Sequence, residues 1–143
     1  MYTIGFTKKS AREFFETLIN AGVRRVVDIR LNNVSQLAGF TKRDDLAYFL
    51  DRIGSIEYVH VPLLAPTAEL LDSYKKGQLA WADFEAAFHR MLEECAVEQA
   101  WLPQVRDADC LLCSEHEPDR CHRRMVADYL SARDSRIAVQ HLL

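Results

Sequence analysis

Leu111-Leu112-Cys113-Ser114-Glu115-His116-Glu117-Pro118-Asp119-Arg120-Cys121-His122-Arg123 joins an apolar run to two thiols, two imidazoles, two arginines and three carboxylates. The apolar run ending at Cys113 reads as a buried strand. Pro118 suits the first turn of a helix, and Cys121 to Leu130 carries helical apolar spacing. The stretch is therefore a strand, a polar loop and a helix N-terminus. In an open α/β sheet, ligands bind beyond the carboxyl ends of strands, where helix N-termini offer free N–H groups to anions.

Outward from that segment, the chain alternates strands with helices. Tyr2 to Phe6 reads as a first strand. Ser10-Ala11-Arg12-Glu13 is a capping box opening a helix that puts Phe14, Phe15, Leu18 and Ile19 on one face, and Gly22 ends it. Arg25 to Ile29 gives a second strand, completing a β-α-β unit of the kind that builds parallel sheets. Thr41-Lys42-Arg43-Asp44 repeats the capping pattern before a helix burying Leu46, Phe49 and Leu50, and a third strand covers Ile56 to Val61. Pro62 and Pro66 break the pattern. Helices over Ala68 to Tyr74 and Ala82 to Cys95, a strand at Ala108 to Cys113, a helix from Arg120 to Ser131 and a terminal strand at Ile137 to His141 follow. The fold class is α/β: residues 1–143 form a single domain with a mainly parallel sheet of about five strands flanked by helices.

Composition narrows the function. With 143 residues, 49% hydrophobic and 27% charged, the chain fits one core. A formal charge of −3 argues against a general polyanion binder while leaving room for a local basic pocket. The opening residues lack the charged flank and apolar core of a secretory signal, and no apolar run approaches membrane-spanning length. A soluble cytoplasmic protein without membrane contact is expected. The cysteines at 95, 110, 113 and 121 would then be reduced, so they serve burial, metal binding or reactivity rather than a disulfide framework.

The order of motifs resembles a bacterial and archaeal family known as domain of unknown function 488. Tyr2-Thr3-Ile4-Gly5-Phe6-Thr7, Val27-Asp28-Ile29-Arg30, Ser35-Gln36-Leu37-Ala38-Gly39-Phe40, Tyr58-Val59-His60, and Leu112-Cys113-Ser114-Glu115 with Cys121-His122-Arg123 carry the resemblance. Family members commonly have a proline and an arginine where this chain reads Leu31-Asn32-Asn33-Val34-Ser35-Gln36. The resemblance implies an α/β fold and a shared polar site, with no established reaction.

In a parallel sheet, Gly5-Phe6-Thr7, Asp28-Ile29-Arg30, Tyr58-Val59-His60 and Cys113-Ser114-Glu115 all fall at carboxyl ends of strands and converge on one edge. Cys113 is a candidate nucleophile, since a helix N-terminus and flanking cations lower a thiol pKa, and Glu115 or His122 could act as acid or base. The alternative for Cys113 is a small core residue. Cys121 could face it as a resolving thiol or merely anchor the helix. Arg30, Lys42, Arg43, Arg120, Arg123 and Arg124 could frame an anion site, with Arg30 and Arg123 favoured because each lies beside an apolar or cysteine-bearing element. Asp28, Arg30, His60, Cys121 and Arg123 are the expected ligand-binding set.

Two motif readings fail on spacing. Cysteine phosphatases place arginine six residues after cysteine, whereas here that position is Asp119. The Asp28–Arg30 strand resembles that of rhodanese domains, whose cysteine loop is not reproduced. Cys110-x-x-Cys113 with Cys121-His122 counts as four zinc ligands, with His116 able to replace Cys110, but residues three apart on a strand point to opposite faces. No metal or cofactor is expected. The leading function is a small enzyme acting on a phosphate- or nucleotide-containing ligand at the Cys/Glu/Arg edge. A non-catalytic module binding a nucleotide or nucleic-acid end through Arg30, Arg123 and the last helix is the rival, and a scaffold with a structural polar cluster is a third reading. The oligomeric state is left open.

Overall fold

A computed structural model describes residues 1–34 and 38–143; Ser35, Gln36 and Leu37 of the motif quoted above lie outside the described residues. The strands are β1 (Tyr2–Gly5), β2 (Arg25–Asp28), β3 (Glu57–His60), β4 (Asp109–Cys113) and β5 (Gln140–Leu142). The helices are α1 (Ala11–Asn20), α2 (Arg43–Gly54), α3 (Ala68–Lys75), α4 (Trp81–Glu94), α5 (Val97–Ala100) and α6 (His122–Arg133). The strands form one parallel sheet in the order β3-β2-β4-β1-β5. Short apolar runs buried on both faces are what an all-parallel sheet requires.

Side-chain alternation divides the core between the sheet's two faces. Val27 and Leu111 pack with Phe84, Phe88 and Leu92 of α4 and with Met125, Val126 and Leu130 of α6. Val26, Cys110 and Leu112 pack with Phe14, Phe15 and Leu18 of α1 and with Leu46 and Leu50 of α2. At the amino-terminal edge, Arg25 lies opposite Asp109 and donates to both its carboxylate oxygens at 2.8 and 2.6 Å. This buried bidentate pair fixes the register of the two central strands.

Several local expectations are corrected. Ile19 is 42% exposed, because it sits at the margin of the apolar stripe beside Gly54. Thr41 does not cap α2: its hydroxyl donates to the Ala38 carbonyl at 2.9 Å within a 3-10 turn, and Lys42 takes the cap position without a side-chain bond. The exposed Arg43 N–H instead finds the Asn33 carbonyl at 2.8 Å. Pro118 precedes α6 rather than opening it; its carbonyl accepts the Cys121 N–H at 3.1 Å, and Cys121 is the N-cap. The terminal strand starts later than Ile137, whose carbonyl takes the Ser131 hydroxyl at 2.8 Å. The capping box at Ser10 and Glu13 is present as read, with both reciprocal bonds.

Candidate thiol site at the carboxyl edge of the sheet

The register sets the site's position. Gly5 lies opposite Cys113, and Asp28 lies opposite both Leu112 and His60, so the four polar clusters end at one edge of the sheet. Between β4 and α6, residues 114–120 form a loop that folds back over β1. The Thr7 N–H and hydroxyl both donate to the Ser114 carbonyl, at 3.1 and 2.9 Å. Gly5 permits this approach, since a Cβ on it would lie 1.6 Å from the Glu115 carbonyl oxygen.

Arg123 anchors the loop from below. Although α6 carries it one residue after the helix start, its side chain is fully buried. Its guanidinium donates to the Glu115 carbonyl, to the His116 carbonyl at 2.8 Å and to the Thr3 hydroxyl at 3.3 Å. Those acceptors are neutral, and no carboxylate pairs with Arg123 among the described residues. A buried cation balanced only by dipoles leaves a positive potential under the loop.

Cys113, Cys121 and His122 meet beneath that loop, all buried, with a sulfur or ring nitrogen of each within 4.8 Å of the others. The His122 Nε2–H donates to the Ile29 carbonyl at 2.9 Å, which leaves Nδ1 without a proton in the neutral ring. Cys113 Sγ is 3.6 Å from Nδ1 and 3.7 Å from Nε2. Near-equal distances put the sulfur beside the ring rather than on the axis of either nitrogen, so a turn of the imidazole is needed to aim Nδ1 at it. The Cys121 thiol, donating to Cys113, holds the Cys113 thiol below its ordinary range against the opposing effect of burial, helped by the Ser114 and Glu115 backbone and by Arg123. The same contact, with burial, pushes Cys121 up. Of the two thiols, Cys113 is therefore the one that gives up its proton more readily.

This trio floors a cavity of about 300 Å³. Phe84, Trp81, Tyr74 and Leu71 form an apolar wall from α3 and α4, while Arg30, Asn32, Lys75, Glu115 and Arg120 supply the polar groups. Trp81 stacks on Phe84 with ring centroids 5.2 Å apart. The lining is thus part aromatic and part charged, the mixture common in small-molecule pockets.

Not every residue of the expected set reaches the cavity. Cys113, Glu115, His122, Arg30 and Cys121 line it; Asp28, His60 and Arg123 do not. Asp28 is fully buried under it, accepting from Arg30 Nε and Nη2 at 2.8 and 2.7 Å and from the Tyr58 hydroxyl at 2.7 Å. Arg30 also donates to the Thr41 carbonyl at 2.8 Å, so much of its fork is spent within the protein. His60 donates Nε2–H to the Arg30 carbonyl at 2.9 Å and orients that strand end. Arg43 and Arg124 pair with Asp44 and Glu85 away from the site. Cys110 packs on the opposite face of the sheet, so the four-residue zinc set is not assembled, while its other three members are. Leu71, Tyr74, Lys75, Trp81 and Phe84 escape a sequence reading because only the crossing of α3 and α4 over the sheet edge brings them in. The trace they leave is the helical spacing of Leu71, Tyr74 and Lys75 and of Trp81 and Phe84.

Removing the Tyr58 hydroxyl tests the layer beneath the cavity. Tyr58→Phe leaves Asp28 one donor short and is expected to cost about 1–2 kcal/mol in urea unfolding, without changing Cys113 reactivity. A coupled fall in Cys113 reactivity would place Tyr58 in the site itself.

Fold and site together define a class: a parallel α/β domain with a buried thiol pair and an imidazole at the carboxyl edge of its central strand. The chain belongs to the family described as Domain of unknown function DUF488, whose model matches residues 10–130. No curated protein and no solved structure matches it. Among the described residues, no helix is long and apolar enough to cross a membrane.

Proposed function

We propose that this protein is a small thiol-dependent enzyme acting on a phosphate- or nucleotide-containing ligand, with Cys113 as nucleophile and His122 as its base. The observation that carries the reading is the contact between Cys113 and His122 at the floor of the cavity, with the imidazole oriented by the Ile29 carbonyl. A nucleophile beside a base that is itself held by a third group is the arrangement covalent catalysis uses. Once the ring turns to aim Nδ1 at the sulfur, Nδ1 takes the thiol proton and Sγ attacks the ligand's electrophilic centre. The leaving group departs with that proton, and water then cleaves the sulfur bond and returns the thiol. Arg120 and Lys75 lie where an anionic group would enter, and the Trp81–Phe84 stack offers a flat apolar face to a base or other planar group. Glu115 is exposed at the rim, a position suited to proton exchange with solvent rather than to contact with the thiol.

The rival reading, a non-catalytic anion-binding module, leaned on Arg30 and Arg123. Their donors are largely engaged with Asp28, Thr41 and the loop carbonyls, which favours the enzyme.

Brief, dilute alkylation of chelator-treated native protein, read by mass spectrometry, tests the proposal. Cys113 is expected to label at least about tenfold faster than the exposed Cys95, to slow in His122→Gln, and to be protected by a nucleoside diphosphate. Labelling slower than Cys95 and indifferent to His122 would defeat the nucleophile.

A further inference from the structure

The geometry points to a second capacity of the same trio: Cys113, Cys121 and His122 form a three-ligand site for a soft divalent cation, zinc above all, with its fourth position open to the cavity. The ligand chemistry is right, because two thiolates and an imidazole nitrogen are donors that zinc prefers, and two thiolates offset the ion's charge in a buried place. So is the spacing. Bonds of about 2.3 Å to sulfur and about 2.0–2.1 Å to nitrogen at a tetrahedral angle set the two donors about 3.5–3.6 Å apart. Cys113 Sγ and His122 Nδ1 are already 3.6 Å apart.

The outer partners fit as well. A metal-bound histidine usually donates its other ring N–H to a carbonyl or carboxylate, which fixes the tautomer. His122 already does so with the Ile29 carbonyl, at 2.9 Å, and a turn of the ring about that contact aims Nδ1 at an ion between the sulfurs. Cys121 is held as the N-cap of α6 and Cys113 at the end of β4, so the two sulfurs are presented by rigid elements rather than by the intervening loop. Cys110, on the other face of the sheet, cannot close the coordination shell. Three protein ligands and one open position facing a cavity is the pattern of a reactive or exchangeable zinc site rather than a closed structural one.

Occupancy has a consequence that rests on the function proposed above. The ion would engage the Cys113 and His122 lone pairs that the nucleophilic reaction uses, so zinc would be a reversible inhibitor rather than a cofactor. Binding itself stands independently of that reaction.

Cobalt(II) and zinc(II) are the probes, added to chelator-treated full-length protein under reducing conditions. One cobalt per chain is expected, with a thiolate-to-cobalt charge-transfer band and tetrahedral visible bands, both displaced by zinc. Cys121→Ser keeps a good helix cap, and is expected to lose about half the charge-transfer intensity and at least about tenfold in affinity. In the wild type, zinc should suppress alkylation of Cys113 and spare Cys95. Absence of a charge-transfer band, or a band unchanged in both Cys113→Ser and Cys121→Ser, would overturn the site. The two ideas fail separately. Fast Cys113 labelling without cobalt binding removes the metal site and leaves the enzyme, whereas cobalt binding with an inert metal-free Cys113 keeps the site and removes the nucleophile.

Discussion

Gly5→Ala is expected to destabilise the protein by about 3 kcal/mol or more, above the usual range for a single added methyl group. The added carbon would lie 1.6 Å from the Glu115 carbonyl oxygen and 2.6 Å from its carbon. Those atoms are backbone, so no side-chain rotation relieves the clash. The loop must lift from β1, which also pulls the Glu115 carbonyl off Arg123. Urea unfolding measures the loss, and Cys113 alkylation in the folded variant should change with it. Gly39→Ala is the control, because nothing among the described residues lies within 4 Å of a Cβ there, and its effect should stay within about 0.5 kcal/mol. Equal, small effects at both glycines would remove the close approach of loop and strand from the account of the site.

Arg123→Ala should cost about 3–5 kcal/mol, by emptying a fully buried volume and removing the donor from the adjacent Glu115 and His116 carbonyls and from the Thr3 hydroxyl. Arg123→Met refills part of the volume without restoring a donor, so it is expected to recover only part of the stability. Both changes should also slow alkylation of Cys113 relative to Cys95, since the guanidinium contributes to the potential at that sulfur. A loss below about 1 kcal/mol in thermal unfolding, with Cys113 unaffected, would mean that the arginine supports neither the loop nor the thiol.

The sheet was legible because parallel strands buried on both faces must be short apolar runs, and Val26-Val27 and Leu111-Leu112 leave little alternative. The ends of β2 and β4 were legible too, since Asp28 and Cys113 close those runs. The start of α6 was not, because Cys121 caps it without a side-chain bond and Pro118 imitates a first-turn proline. The Asp28–Arg30 pair could be anticipated from adjacency, whereas the burial of Arg123 could not. Its acceptors come from Thr3, Glu115 and His116, and two of them are main-chain carbonyls with no sequence signature. The aromatic wall was hidden for the same kind of reason, since Trp81 and Phe84 read as ordinary core until α3 and α4 are laid across the edge.

The strand order carries a consequence for synthesis. β1 pairs with β4 and β5, so it has both its partners among residues 109–142, made about a hundred residues after it. At roughly 5–20 residues per second, a ribosome leaves that strand without a sheet neighbour for on the order of ten seconds. β2 and β3 pair early, but the site cannot form until β4 enters between β2 and β1. Folding should therefore finish late and cooperatively, at the pace set by distant contacts, and truncation before β4 should yield a chain that neither protects its first strand nor assembles its thiols.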